Sequence, residues 1–122
     1  QADVRKLQLA KAAVAAGIET LLHDAGLDPG AVAALHLAGG FGSYLQPRPA
    51  AGIGLIPVAL VDRTEPAGNT ALTGAVLLTL SRAARRTAEE RALGAREVAL
   101  STHPVFMDRY IESMGFRDDI EH

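Results

Sequence analysis

The chain has 122 residues, 48% of them hydrophobic, and a formal net charge of -2, which predicts one folded domain with a single core rather than a disordered chain. This charge argues against a nucleic-acid binder, because such proteins concentrate positive charge to neutralise phosphates. The absence of cysteine excludes disulfides, iron–sulfur clusters and thiolate zinc sites within these residues. Because the sequence shows neither a bilayer-spanning apolar run nor a signal-peptide pattern, we expect a cytoplasmic protein without a membrane partner.

The first 25 residues show apolar positions at helical spacing and predict a helix from Asp3 to Ala25, with Asp3 as N-cap and Gly26 as the stop. The positions that carry this pattern are Val4, Leu7, Val14, Ile18, Leu21 and Ala25. Gly17 lies among small residues, and this pattern predicts that another element or a ligand approaches the helix closely there. Lys11 falls on the apolar stripe, so its side chain either extends past the core to solvent or reaches a phosphate or carboxylate in a cleft.

An apolar run from Val32 to Ala38 predicts a buried strand that leads into a glycine-rich turn. Glycine permits positive φ and lets backbone N–H groups reach a ligand, so this turn is a candidate nucleotide site. Its residues are Gly39, Gly40, Phe41, Gly42 and Ser43. Their spacing is neither that of a P-loop nor that of a dinucleotide fingerprint, and a structural turn remains the alternative. We interpret His36 as a hydrogen-bonded packing residue without a catalytic role.

The rest of the chain continues this alternation of helix and strand signals, which indicates an α/β layer arrangement. The predicted elements are a short helix from Pro49 to Leu55, a strand from Val58 to Val61, a helix from Gly68 to about Arg82 capped by Asn69 or Thr70, a helix from Thr87 to Leu93 with a capping box, a strand from Glu97 to Ser101, and a last helix opened by Pro104. Asn69 also precedes backbone N–H groups that could face a ligand.

No catalytic or metal-binding constellation emerges from the spacing of the polar residues. Asp108 and Glu112 share a helical face, but an exposed pair of like charges is typical of a solvated surface. The four histidines lack metal-ligand spacing, and His103 before Pro104 is most simply a helix-entry residue. A solvated helical face is indicated by the arginines at 82, 85, 86 and 91, whose charge is partly balanced by the acids at 89 and 90. We therefore predict no catalytic residue and no metal ligand.

Four ordered blocks together resemble the C-terminal region of the ATP-dependent reductive activators of corrinoid proteins. They are DVRKLQLAKAAVAAGI at 3–18, LAGGFGSYL at 37–45, GLIP at 54–57 and GNTALTGA at 68–75. The closing segment with Phe106, Tyr110, Ile111, Met114 and Phe116 also fits this family. The resemblance covers nearly the whole chain.

The resemblance implies a ribonuclease H-like, actin-like ATPase subdomain of the acetate and sugar kinase, Hsp70 and actin superfamily, with a small mixed sheet flanked by helices. Members use ATP to deliver a low-potential electron to an inactive Co(II) corrinoid, and carry a [2Fe–2S] cluster in an N-terminal ferredoxin-like domain. By resemblance, residues 39–42 match the adenosine motif. The small face around Gly17 and the helix opened by Asn69 would line two walls of the nucleotide cleft, and Lys11 is a further candidate ligand.

The chain departs from this family in extent, because the phosphate-binding hairpins and ferredoxin cysteines are not in it. Residues 1–122 are thus expected to be one domain, a C-terminal fragment of a longer protein, that alone neither hydrolyses ATP nor transfers electrons. ATP, magnesium and the cluster belong to the full-length protein. The expected partners are the rest of its own chain and a corrinoid protein or methyltransferase. The alternatives are a non-catalytic interaction or dimerisation module, or part of a sugar-kinase-like or dehydratase-activator ATPase.

Overall fold

The computed structural model describes residues 2–40 and 44–115, and the chain divides into two compact units. The first unit comprises Gln1–Leu35, Gln46–Thr64 and Val98–His122, and the second comprises His36–Leu45 and Glu65–Glu97. The helices and strands are α1 (Ala2–Ala25), β1 (Leu35–Ala38), α2 (Pro47–Gly52), β2 (Thr64–Gly68), α3 (Thr70–Leu80), α4 (Arg82–Gly94) and α5 (Pro104–Glu112). Short 3-10 helices occupy Pro29–Ala31, Val58–Arg63 and Leu100–Thr102. None of the described helices combines the length and apolarity needed to cross a bilayer.

Helix α1 has the predicted extent, and its C-terminal stop is confirmed. Gly26 adopts a φ of 64° and donates its N–H to His23 O at 3.0 Å, while the N–H of Leu27 reaches Leu22 O at 2.9 Å. This is the Schellman arrangement, in which a left-handed residue lets the chain satisfy the last helical carbonyls. The N-cap prediction is wrong, because α1 already begins at Ala2 and Asp3 lies inside its first turn.

The buried face of α1 consists of small residues rather than of the large apolar residues that revealed the helix. Its buried positions are Lys11, Ala12, Ala15, Ala16, Gly17 and Thr20. In contrast, Leu7 and Leu21 are about half exposed, at 49% and 51%. The principal neighbour of α1 is α5, and short side chains let two helices approach closely. The helical spacing of the apolar residues therefore predicted the helix correctly but did not predict which of its faces is buried.

Gly17 gives a direct test of this packing, because a Cβ built on it would lie 3.6 Å from Leu100 Cδ1, an ordinary van der Waals distance. We expect Gly17→Ala to raise the free energy of unfolding by about 0.5–1 kcal/mol through helix propensity. Gly17→Leu should lower it by roughly 1–3 kcal/mol through overpacking against Leu100. Urea unfolding of the two variants measures both effects. A destabilising Gly17→Ala would contradict this packing.

The rest of the first unit corrects two strand predictions. Residues Val58–Arg63 form a 3-10 helix instead of a strand, because Leu60 turns inward to 1% exposure and its carbonyl accepts the Thr64 hydroxyl at 2.6 Å. Residues 97–99 have no regular secondary structure and Leu100–Thr102 form a 3-10 helix, so the strand predicted from Glu97 to Ser101 is wrong. The short helix predicted from Pro49 to Leu55 is α2, which begins and ends earlier.

The second unit holds the two-stranded sheet, except for the first residue of each strand. The pairs His36–Glu65 and Gly39–Gly68 keep the same sequence offset, so β1 and β2 run parallel. β1 is shorter than the predicted strand and alternates half-buried with exposed residues, whereas a buried strand was expected. β2 was not predicted at all.

Helices α3 and α4 follow β2 in the second unit. The cap of α3 by Asn69 is confirmed, because its Oδ1 accepts the N–H of Leu72 at 3.0 Å. The cap predicted for α4 is wrong: Ser81 caps it by accepting the N–H of Ala84 at 3.1 Å, and Thr87 lies in its interior. The four arginines of α4 are exposed, which confirms the solvated helical face.

Candidate functional site

Both strands of the second unit end in a glycine with positive φ. Gly39, directly after β1, has a φ of 72°, and Gly68, the last residue of β2, has a φ of 64°. The two glycines are joined, since the N–H of Gly39 donates to Gly68 O at 2.8 Å. Positive φ at both positions turns the chain sharply where the parallel strands end. In open α/β sheets this carboxyl edge is the usual place for a ligand.

The backbone at this edge is uncovered in the described part of the chain. A Cβ built on Gly39, Gly40 or Gly68 would meet no described atom within 4 Å, and Gly39 and Gly40 are exposed. A flat ring system could therefore contact the main chain here without meeting a side chain of these residues. The other predicted residues of the turn, Phe41, Gly42 and Ser43, lie outside the described residues.

Asn69 and the start of α3 follow Gly68 directly. The Asn69 side chain is engaged in capping, and its backbone carbonyl accepts both the N–H of Thr73 at 3.1 Å and the Thr73 hydroxyl at 3.2 Å. The structure thus gives Asn69 a local structural role, while its contact with a ligand stays a prediction. The first N–H groups of α3 carry the positive end of the helix dipole, which suits an anionic group beside the turn.

His36 lies on β1, two residues before the end of the strand. Its Nδ1 is 3.6 Å from Glu65 Oε2 on β2, and both side chains are about two-thirds exposed. The prediction of a packing role for His36 is therefore wrong, because this face of the sheet is open in the described residues. Within residues 2–40 and 44–115, no group of three or more histidine and acidic side chains is arranged to hold a metal ion.

Lys11 belongs to the first unit, where it is 2% exposed. Its Nζ donates to Ser113 O at 2.9 Å and to Gly115 O, carbonyls that follow the end of α5. The negative end of the α5 dipole lies directly before these carbonyls and favours an ammonium group nearby. Lys11 thus caps α5 from within the unit, and the expectation that it extends past the core to solvent is wrong.

A cleft of about 210 Å³ lies beside Lys11 in the first unit, bordered by Gly54, Glu19 and Arg109. Arg109 donates to Glu112 Oε2 at 2.8 Å, and its Nε is 3.3 Å from Glu19 Oε2. The hydrogen bond and charge of Glu112, followed by the charge of Glu19, raise the pKa of Arg109 above its ordinary value. The guanidinium is therefore charged and already matched by two carboxylates.

The predicted site residues are thus distributed over both units. Gly39, Gly40 and Asn69 lie at the strand ends of the second unit, whereas Lys11 and Gly17 are buried residues of α1 in the first unit, where Lys11 donates to Ser113 O. Gly68 was not predicted as the partner of Gly39. The signal was present, because a glycine directly before a capping asparagine is typical of a turn into a helix.

A second contact missed by the sequence joins the ends of α1 and α5. His103 Nε2 lies 3.0 Å from Asp24 Oδ1, and the His103 side chain is 18% exposed. The interpretation of His103 as a helix-entry residue is confirmed, since it occupies the N-cap position of α5. The two partners are 79 positions apart in the sequence, so no local pattern could show that they meet.

Comparisons with known proteins agree on one family. A family model described as the C-terminal domain of RACo, the ASKHA domain, matches residues 1–121. The corrinoid activation enzyme RamQ of Eubacterium limosum is 32% identical over 120 residues, which is 98% of this chain and 20% of that protein. A solved structure titled reductive activator for corrinoid, iron-sulfur protein is 35% identical with a TM-score of 0.85, over 94% of this chain and 18% of the other. The chain spans about a fifth of the length of these relatives.

Proposed function

Because the chain belongs to the family of RACo C-terminal ASKHA domains, we propose that it is the nucleotide-binding subdomain of an ATP-dependent reductive activator of corrinoid proteins. The observation that carries this proposal is the uncovered backbone at Gly39, Gly40 and Gly68, at the ends of two parallel strands. The two relatives are named a corrinoid activation enzyme and a reductive activator, which supports reductive activation of corrinoid proteins as the process to which this subdomain contributes. We propose further that residues 1–122 are the C-terminal part of a longer polypeptide.

In this proposal the glycine turn receives the adenosine part of ATP. Paired glycines let the nucleoside lie against the main chain, and Gly39 is joined to the end of β2 by its hydrogen bond to Gly68, directly before the Asn69 cap of α3. The N-terminus of α3 offers backbone donors and a positive dipole end to an anionic group of the ligand. Lys11 and Gly17 stay predicted ligands; the described hydrogen bonds of Lys11 and the burial of Gly17 in the first unit are structural.

The remaining chemistry is assigned to other parts of the proposed activator. An iron–sulfur cluster needs cysteine thiolates, and the 122 residues contain no cysteine, so these residues do not fit the cluster. Phosphoryl transfer requires acids that position magnesium. We therefore propose that this segment binds nucleotide weakly and performs neither ATP hydrolysis nor electron transfer by itself. The corrinoid partner would be reduced from Co(II) to Co(I) by the whole activator, and the cytoplasmic location stays a prediction.

Titration of the chain with magnesium-ATP, followed by amide chemical shifts, tests this function. We expect the largest shifts at residues 39–43 and 68–72, with a dissociation constant on the order of 1 mM because half of the nucleotide clamp is absent. Adenosine alone should reproduce most of the shifts near Gly39, and inorganic triphosphate should not. Shifts concentrated elsewhere, or larger with triphosphate than with adenosine, would count against a nucleoside site at the turn.

A further inference from the structure

Arg63 joins the two segments that lead into the parallel strands. It is the last residue of the 3-10 helix Val58–Arg63 and directly precedes β2. Its Nη1 donates to Val32 O at 2.8 Å and also to Gly30 O. These carbonyls lie at the end of the 3-10 helix Pro29–Ala31, shortly before β1, where carbonyls have no partner within the helix. One guanidinium nitrogen therefore ties the approach to β1 to the approach to β2.

The first residue of β2 is held by a second side-chain hydrogen bond. The Thr64 hydroxyl donates to Leu60 O at 2.6 Å, and Leu60 is a buried residue of the first unit. Arg63 and Thr64 are neighbours in the chain, and their hydrogen bonds reach two different segments. The start of β2 is therefore fixed both to the core of the first unit and to the approach to β1.

The two strands contain little that would fix their register by themselves. β1 has four residues and β2 has five, and Pro66 in β2 has no N–H to donate to the ladder. None of the described side chains of the two strands is buried. Register is strongly specified where one face of a strand is buried, and weakly where neither face is. The alignment of β1 with β2 therefore depends on contacts outside the two strands.

This alignment decides the geometry of the candidate nucleotide site. In the observed register Gly39 donates its N–H to Gly68 O at 2.8 Å, and both glycines have positive φ where their strands end. A slip of one residue would place Gly39 opposite Ala67 or Asn69 instead. Because Arg63 lies about 16 Å from Gly68 along β2, it acts on the turn through the strands and not by contact with a ligand.

We propose that Arg63 is a positioning residue for the nucleotide site at Gly39, an inference that rests on the proposed function. The guanidinium fixes the register where the strands begin, and the register brings Gly39 to Gly68 where they end. Arginine suits this role because one of its terminal nitrogens carries two N–H groups, one for each carbonyl. Hydrogen bonds from a charged donor are also stronger than those from a neutral one.

Hydrogen exchange at the Gly39 N–H, measured residue by residue in the full-length protein that contains this segment, tests the proposal. Arg63→Met keeps the apolar stem and removes both donors. We expect the exchange rate at Gly39 to rise at least about tenfold, while the rate at Ala12, a buried residue of α1, rises less than about twofold. The adenosine affinity of this variant should fall about fivefold or more.

Two control variants separate positioning from a general loss of stability. Arg5→Met removes an exposed arginine of α1 and should change neither exchange rate. Gly26→Val strains a position with a φ of 64° at the end of α1, and should change the rates at Gly39 and Ala12 by the same factor. If Arg63→Met also changes the two rates by the same factor, or changes neither, the proposal is overturned.

Adenosine titration of the same samples separates this inference from the proposed function. If the unmodified protein does not bind adenosine while Arg63→Met speeds exchange at Gly39, the proposed function is refuted, but the role of Arg63 in shaping the turn is supported. If adenosine binds and exchange at Gly39 is unaffected by Arg63→Met, this inference alone is refuted. Faster exchange at Gly39 without loss of adenosine affinity would also overturn it, because the register would then not matter to the site.

Discussion

Replacement of Lys11 by methionine is expected to lower the free energy of unfolding by about 2–3 kcal/mol. The side chain is buried, and its ammonium group donates to the carbonyls of Ser113 and Gly115. Methionine keeps the apolar stem but leaves these carbonyls without that donor, and it removes the positive charge from the negative end of the α5 dipole. The gain from no longer burying a charge offsets part of this loss.

Lys6→Met is the matched control on the same helix. The Lys6 side chain is 80% exposed and lies 4.0 Å from Asp3, so its loss should change stability by less than about 0.5 kcal/mol. Urea unfolding at neutral pH measures both variants. If Lys11→Met is as stable as Lys6→Met, Lys11 does not act as the buried cap of α5.

The same variant distinguishes the two roles considered for Lys11. A purely structural lysine leaves the ATP affinity of the folded chain unchanged when it is replaced by methionine. A lysine that also contacts phosphate would lose affinity for ATP but not for adenosine. Comparison of the two ligands, under conditions in which the variant is folded, therefore decides between these roles.

Replacement of Gly39 by valine is expected to reduce adenosine affinity at least about tenfold and to lower the free energy of unfolding by about 1–3 kcal/mol. The stability loss follows from the φ of 72°, which a β-branched residue adopts only with strain. The affinity loss follows from the new side chain, which would fill the uncovered space above the main chain. Amide shifts during adenosine titration, together with urea unfolding, measure both effects.

Gly26→Val is the control for strain. Gly26 has a φ of 64°, and a Cβ built on it would meet no described atom within 4 Å, but it lies at the end of α1. We expect a similar loss of stability and unchanged adenosine affinity. If both valine variants bind adenosine as the unmodified chain does, the glycine turn does not contact the nucleoside.

The helices that the sequence predicted well are those whose ends carry local signals. Gly26 stops α1, Asn69 caps α3 and Pro104 opens α5, and each signal acts through backbone geometry or hydrogen bonds within a few residues. Gly39 was identified as a turn residue for the same reason, because the conformational freedom of glycine is a local property. The cap predicted at Thr87 failed because Ser81, six positions earlier, had already started the helix.

The strands were predicted less well, since a strand depends on a distant partner. The run from Val58 to Val61 is apolar but forms a 3-10 helix, whereas β2 contains Glu65 and Pro66 and forms a strand. Pairing with β1 makes β2 a strand despite its low intrinsic preference. A short apolar run has no periodicity that separates these outcomes.

By itself the sequence determined helices α1 and α3, the glycine that turns the chain after β1 and, through four ordered blocks, the family to which the chain belongs. Only the tertiary structure decided that α1 buries its small residues, that Lys11 caps α5 and that Gly39 pairs with Gly68. Caps and turns are fixed by interactions between neighbours in the chain. Burial and strand pairing depend on contacts with residues that are distant in the sequence. The spacing of residues along the chain does not show which distant residues make those contacts.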